Sequence, residues 1–270
     1  MSISESLIFS FNNELSSDYG VINCHVDTNG LYQEDFLSSI ELKEITTRRS
    51  TKPYLVQKKP LPRILNLTIA FEENFDEDKL RSVRRWLSQD GYKPMSFDSI
   101  PDHIFYCTLI DSTPLLHNGL QGYISCTMRC SDPYKYSPQY LSGLYDLSSN
   151  PSSGTQIIFS NLGDVPCQPQ ISILKINDGD ISIINNSNGG KEFKLSSLLD
   201  SDGVIIPSSS LKNNEDLFID SENEEITSSI PDANRLNNLT GDFISLPRGV
   251  NNLQIFGTCK IQFRYQFKMH

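Results

Sequence analysis

Few residues in this chain are spaced to do chemistry. The four histidines, His25, His103, His117 and His270, have no HExxH-type neighbour and no second histidine at helical spacing. Cys126-x-x-x-Cys130 comes nearest to a metal-ligand pair. However, Cys126 alternates with Ile124 and Met128 as a strand residue would, and no second ligand pair lies at zinc-site distance. Asn177-Asp178-Gly179-Asp180 could gather oxygens around calcium, but the spacing after it misses the EF-hand loop and its final bidentate Glu. A tight turn between Ile176 and Ile181 is the better reading. Glu215 to Glu225, with Glu222, Glu224 and Glu225 at its end, offers carboxylates for glycoside hydrolysis, yet a charge run of this kind reads as a solvated loop or hairpin edge. There is no G-x-S-x-G elbow, no P-loop and no G-x-G-x-x-G after a strand. We therefore assign no catalytic residue, no metal site and no cofactor, and the chain does not read as an enzyme.

The segment most open to a functional reading is basic. From Ile40 to Arg63 the chain carries Lys43, Arg48, Arg49, Lys52, Lys58, Lys59 and Arg63 against only Glu41 and Glu44, and Pro53, Pro60 and Pro62 interrupt it. It reads as two extended strands in a long exposed arm. Lysines and prolines blunt uncontrolled strand addition at such an edge, while arginines suit a defined protein partner. Three readings stand side by side: a nucleic-acid site, an ordinary solvated hairpin, and an arm that contacts a partner. The first has Tyr54 as its only aromatic and belongs to an acidic protein. The third is favoured because a long, Arg-containing, proline-stiffened excursion costs conformational entropy unless a partner holds it.

Composition bounds the rest. The chain has 270 residues, which at roughly 150 residues per domain suggests about two domains. Its 23 Lys+Arg and 33 Asp+Glu leave a net charge of −10, which argues against a surface devoted to phosphates or anionic lipid. The start, Met1 to Phe11, has no basic n-region, so no signal peptide is expected, and no apolar run is long enough for a membrane span. Cys24, Cys107, Cys126, Cys130, Cys167 and Cys259 are scattered, several within apolar or alternating runs, and are expected to be reduced and buried.

The elements that would position these residues are mostly strands. In Ile64 to Phe71, Leu65, Leu67, Ile69 and Phe71 share one parity, the mark of a half-buried strand. Ile104 to Ile110 and Tyr123 to Met128 supply further strands. One helix is expected to start after the cap Asp76, with Glu77 and Asp78 at its positive end, the stripe Leu80, Val83 and Leu87 flanked by Trp86, and a stop at Asp90-Gly91. This is an α+β domain with one helix and a long β-hairpin arm. A Ser/Pro/Gly/Tyr-rich passage, Ser131 to Gly154, marks a boundary, giving domains 1–137 and 138–270. Beyond it short strands are expected at Thr155–Phe159, Gln170–Ile176, Asp180–Ile184, Lys191–Leu195, Gly203–Ile206 and Leu217–Ile219, spaced as in a β-sandwich. The closing strand is expected to run unbroken. Leu253, Ile255, Cys259, Ile261, Phe263, Tyr265 and Phe267 share one parity, with Phe256 the exception.

The order of several landmarks resembles a known family. An early Phe-Asn segment precedes Asp18-Tyr19-Gly20-Val21, followed by the basic hairpin, a strong strand and the capped helix. Then come Cys130-Ser131-Asp132-Pro133-Tyr134-Lys135-Tyr136-Ser137, Asn161-Leu162-Gly163-Asp164 with Pro166 and Pro169, and Leu246-Pro247-Arg248-Gly249-Val250-Asn251-Asn252-Leu253. Together these are similar to the distal tail protein of siphovirus-type bacteriophages of Gram-positive bacteria. The resemblance implies a mainly β structural protein of the virion tail tip or baseplate, made in the host cytoplasm. It implies a tail-tube-like N-terminal domain forming a homo-hexameric ring, and a C-terminal galectin-like or carbohydrate-binding-module-like β-sandwich at the periphery. The ring would join the tail tube protein to the hub or tail-associated protein. The arm Lys43–Arg63 would belt the neighbouring subunit, and no specific nucleic acid is bound. A second role, host attachment through receptor-binding proteins or cell-wall glycan, would need aromatic platforms. The C-terminal half has no Trp, and Tyr140, Tyr145 and Phe193 are the candidates to replace it.

Overall fold

The structure is a computed structural model and describes residues 3–25, 37–49, 51–199, 201–204, 206 and 209–270. It divides into two compact units, Met1–Ser137 with His270, and Pro138–Met269.

In the first unit every neighbouring strand pair is antiparallel. The strand order across the sheet is Glu14–Leu15, Phe9–Phe11, Lys93–Phe97, Ile100–Ser112, Gly122–Cys130, Ile64–Phe71 and Val21–Cys24. Alternation decides which face is inside: Leu65, Leu67, Ile69 and Phe71 are all buried, as expected. The helix Glu77–Leu87 covers that face. Asp76 caps it, its carboxylate accepting from the Lys79 N–H at 2.8 Å, and the chain leaves the helix at Ser88, ahead of Asp90-Gly91. Trp86 does more than flank the stripe. It is buried, its indole N–H donates to the Phe11 carbonyl at 3.0 Å, and its ring stacks on Tyr19 with centroids 4.4 Å apart.

The second unit is a β-sandwich. One sheet orders Tyr140–Leu141, Cys259–Tyr265, Gln170–Lys175, Asp216–Asp220 and Glu225–Ser228, with Tyr145–Leu147 also paired to Cys259–Tyr265. The other orders Thr155–Asn161, Gly249–Phe256, Ile181–Asn185, Lys191–Leu195 and Leu239–Gly241. Ile171, Ile173, Ile219 and Phe263 of the first sheet share one core with Ile157, Ile183, Phe193 and Leu253 of the second.

Two expectations fail here. The closing segment is not one strand, because Gly249–Phe256 and Cys259–Tyr265 lie in opposite sheets. The chain switches at Gly257, whose φ is +90°, and a Cβ there would come within 2.4 Å of the Asp180 carbonyl oxygen. Parity survives because inward positions in both sheets point at the same core. Lys175 ties the corner with its buried ammonium, which donates to the carbonyls of Thr258 at 3.0 Å and Ile176 at 3.1 Å. The second failure is the strand expected at Gly203–Ile206: Gly203, Val204 and Ile206 lie outside any strand, and Ile205 is outside the described residues.

Buried asparagines staple the turns. Asn161 donates to the carbonyls of Val165 and Leu246 and accepts from the Gly163 N–H. Asn251 donates to the carbonyls of Pro247 and Gly249, and its side-chain oxygen accepts from Asn185 at 3.0 Å. In Asn161-Leu162-Gly163-Asp164 and in Leu246 to Asn251, the asparagine side chain supplies partners to backbone groups of the turn.

Candidate assembly interface

The strands Ile40–Ile45 and Tyr54–Pro60 form an antiparallel pair that joins no other sheet among the described residues. On one face Ile40 opposes Pro60, Leu42 opposes Lys58, and Glu44 opposes Leu55. On the other, Glu41 opposes Lys59, Lys43 opposes Gln57, and Ile45 opposes Tyr54. A register shift between Lys43 and Glu44 leaves Val56 as the extra residue, a bulge that twists the ribbon. The base is held to the first unit: Leu61 N–H donates to the Ser39 carbonyl, Arg63 N–H to Asp132, Cys130 N–H to Arg63, and the Ser38 hydroxyl to Pro133.

Every strand residue of the hairpin is exposed. Ile40, Leu42, Ile45, Tyr54, Leu55 and Val56 are each more than half exposed. Ile40, Leu42 and Leu55 share one face with Glu44 and Lys58, and Ile45 and Tyr54 lie on the other; a lone two-stranded hairpin is at best marginally stable in water, so apolar side chains exposed on both faces point to cover by another protein. Lys43, Arg48, Arg49, Lys52, Lys58 and Lys59 all lie exposed along this hairpin or its turn, whereas Arg63 sits half-buried at its base. Sequence reasoning saw the charge and missed the apolar content. The signal was present in Ile40, Leu42, Ile45, Leu55 and Val56, hidden by lysines at neighbouring positions.

The other chemical candidates resolve into structure. Glu215 is not part of a solvated loop: it is buried, and its carboxylate takes bonds from Arg235 at 2.7 and 3.0 Å, from the Ser228 hydroxyl and from the Lys212 N–H. Asp220 is also buried and accepts from the backbone of Glu222 and Asn223, closing the turn before Glu225–Ser228. Asp178 and Asp180 accept from the N–H groups of Asn213 and Ser197, so their carboxylates tie the link between the two sheets to distant loops. Burial pushes the Cys130 thiol up to about 12 and the Cys126 thiol up to about 11, the opposite of what a metal-binding thiolate needs. Phe193 lies in the core and Tyr145 packs on Phe159 and Phe263, so of the three aromatics considered as a sugar platform only Tyr140 is exposed. No helix among the described residues is long and apolar enough to cross a membrane.

The chain is similar to phage tail components along its whole length. Residues 4–132 match the family model described as phage tail protein N-terminal domain. The chain is 32% identical over 267 residues to the SPbeta prophage-derived protein YomH of Bacillus subtilis strain 168, covering 98% of this chain and 99% of the relative. Among solved structures it is similar to the Dit protein (gp 19.1) of phage SPP1, a paradigm of the hub adsorption apparatus in phages infecting Gram-positive bacteria. That likeness has a TM-score of 0.64 at 17% identity, covering 97% of this chain and 99% of that one. It is also similar to a chain of the phage p2 baseplate in its activated conformation, with a TM-score of 0.52 at 8% identity and 97% of both chains covered. The family model and both solved structures are of phage tail or baseplate parts. The chain thus belongs to the family of the SPbeta prophage relative YomH, its residues 4–132 match the phage tail protein N-terminal domain, and its fold is that of the SPP1 Dit protein.

Proposed function

We propose that this protein is the adaptor of the tail tip. Six copies close into a ring that joins the tail tube to the hub or tail-associated protein, and the first unit builds that ring. The second unit is a peripheral sandwich of galectin-like or carbohydrate-binding-module-like type. The hairpin Ile40–Pro60, with Lys43, Arg48, Arg49, Lys52, Lys58 and Lys59, contacts the neighbouring subunit. The observation that carries this reading is the ordered hairpin that leaves all its apolar side chains in solvent. Burying them against a neighbour removes the cost of their exposure, at about 25 cal/mol per Å² of apolar surface. Native mass spectrometry and negative-stain imaging of the purified chain test it, with six copies and six-fold rings expected. A chain that stays monomeric at high concentration, and does not enlarge with its tube or hub partner, defeats the proposal.

A further inference from the structure

The chain has three Asn-Gly pairs, Asn29-Gly30, Asn118-Gly119 and Asn188-Gly189, the first of them outside the described residues. Such a pair can close on itself, because a residue without a side chain leaves its amide nitrogen open to the carbonyl carbon of the preceding side chain. Asn118-Gly119 lies at the exposed tip where Leu116–His117 turns back to pair with Gly122 and Tyr123. There the Gly119 N–H donates to His117 Nδ1 at 3.1 Å, which requires the imidazole proton on Nε2. Asn118 Oδ1 accepts from the N–H groups of Leu120 at 3.0 Å and Gln121 at 2.8 Å. Phe75 steadies the tip, its ring meeting the imidazole edge to face with centroids 5.8 Å apart and its N–H donating to the Leu120 carbonyl. At Gly119 φ is +97°, and the space beside its Cα is open.

A base therefore sits on the nucleophile's proton within general-base reach, and two N–H dipoles sit on the oxygen that gains charge. We infer that Asn118 deamidates autocatalytically in the folded chain, with His117 as general base. The Gly119 nitrogen adds to Asn118 Cγ as its proton passes to His117 Nδ1, and the charge that develops on Oδ1 is held by the Leu120 and Gln121 N–H groups. The imidazolium returns the proton to Nδ2, the Cγ–Nδ2 bond breaks, and ammonia departs to leave a succinimide ring. Water then opens the ring at either carbonyl, giving aspartate or isoaspartate at position 118. Each event puts one negative charge on the tip, and the isoaspartyl branch also adds a methylene to the backbone of the turn. The exposed tip thus changes its charge and shape with the age of the protein. Asn188-Gly189 is the built-in comparison: it follows Ser187 where the other pair follows His117, and its asparagine side chain donates to the Ser245 carbonyl.

Peptide mapping of the full chain after incubation at neutral pH in heavy-oxygen water tests the inference, since only deamidation before digestion takes up the label. Asn118 is expected to convert roughly tenfold faster than Asn188 in the folded chain, and the two rates are expected to converge in urea. His117→Ala is expected to slow Asn118 roughly tenfold and to leave Asn188 unchanged, with added imidazole restoring part of the rate. A merely loosened turn would speed Asn118 instead, so the sign of the change separates a base from a brace. Equal rates at the two sites of the folded chain overturn the inference, and so does an Asn118 rate that His117→Ala leaves unchanged or raises. The comparison of the two sites uses the unmodified chain and stands even where the variant fails to fold.

Discussion

Glu215 and Arg235, twenty residues apart in the chain, close a bidentate ion pair inside the second unit, with Nε to Oε1 at 2.7 Å and Nη2 to Oε2 at 3.0 Å. Both side chains are buried, and the Arg235 Nη1 also donates to the Ser209 carbonyl at 2.8 Å. The pair thus ties the long connection between Leu195 and Asp216, through Ser209 and Glu215, to Arg235. Removing one partner leaves a buried charge, so Glu215→Ala is expected to destabilise the protein by about 3–5 kcal/mol, measured by denaturant unfolding.

The same pair sets an acid limit. Burial alone would push the Glu215 carboxyl up, but bonds from Arg235, the Lys212 N–H and Ser228 outweigh it and hold the carboxyl below its ordinary value. A carboxyl depressed in the folded state adds stability above its unfolded value and loses it as pH falls through the folded one. Thermal unfolding from pH 7 to pH 3 is expected to show a loss below about pH 4.5 that is smaller in Glu215→Gln.

Replacing Leu42 and Leu55 together by Asp is expected to leave the circular dichroism spectrum nearly unchanged, because both side chains are exposed in the single chain. The same variant is expected to sediment as a monomer. A variant that still forms the wild-type oligomer shows that the hairpin's apolar face is not the contact.

Gly257 and Gly249 both have positive φ, +90° and +93°, but only at Gly257 does a Cβ meet backbone. Gly249→Ala is expected to cost about 1 kcal/mol of strain alone, and Gly257→Ala clearly more because Asp180 must also shift. Equal losses in urea unfolding would mean that the sheet switch tolerates a side chain.

Trp86 is the one tryptophan, and its buried ring meets Phe9, Phe11 and Tyr19. Its emission is expected to be blue-shifted in the native protein, and Trp86→Ala is expected to cost about 3–5 kcal/mol in denaturant unfolding. Of the six cysteines only Cys24 is part-exposed, and burial raises its thiol pKa. A thiol-disulfide reagent at pH 8 is expected to find at most one slow thiol in the native chain and six after denaturation.

Local rules were enough to read the strand Ile64–Phe71, the helix capped by Asp76 and the mainly β character, because each follows from the spacing of apolar residues and one capping side chain. They failed where the deciding partner is distant. Leu253 through Phe263 reads as one strand because parity reports which side a residue faces, and both halves of the segment face the same core from opposite sheets. Glu215 reads as a solvated charge because nothing nearby in sequence announces Arg235. Phe193 and Tyr145 look available to a sugar until the core shared by the two sheets takes in Phe193 and the rings of Phe159 and Phe263 pack on Tyr145.

The hairpin lies between these cases. Its lysines, arginines and prolines mark it as an exposed arm from the residue order alone, but only the folded chain shows that Ile40, Leu42, Leu55 and Val56 find no cover within their own unit. Alternation and capping act over a few residues and so can be read along the chain. Burial, ion pairing and the choice of sheet depend on segments far apart in sequence, and the energy that selects them exists only once those segments meet.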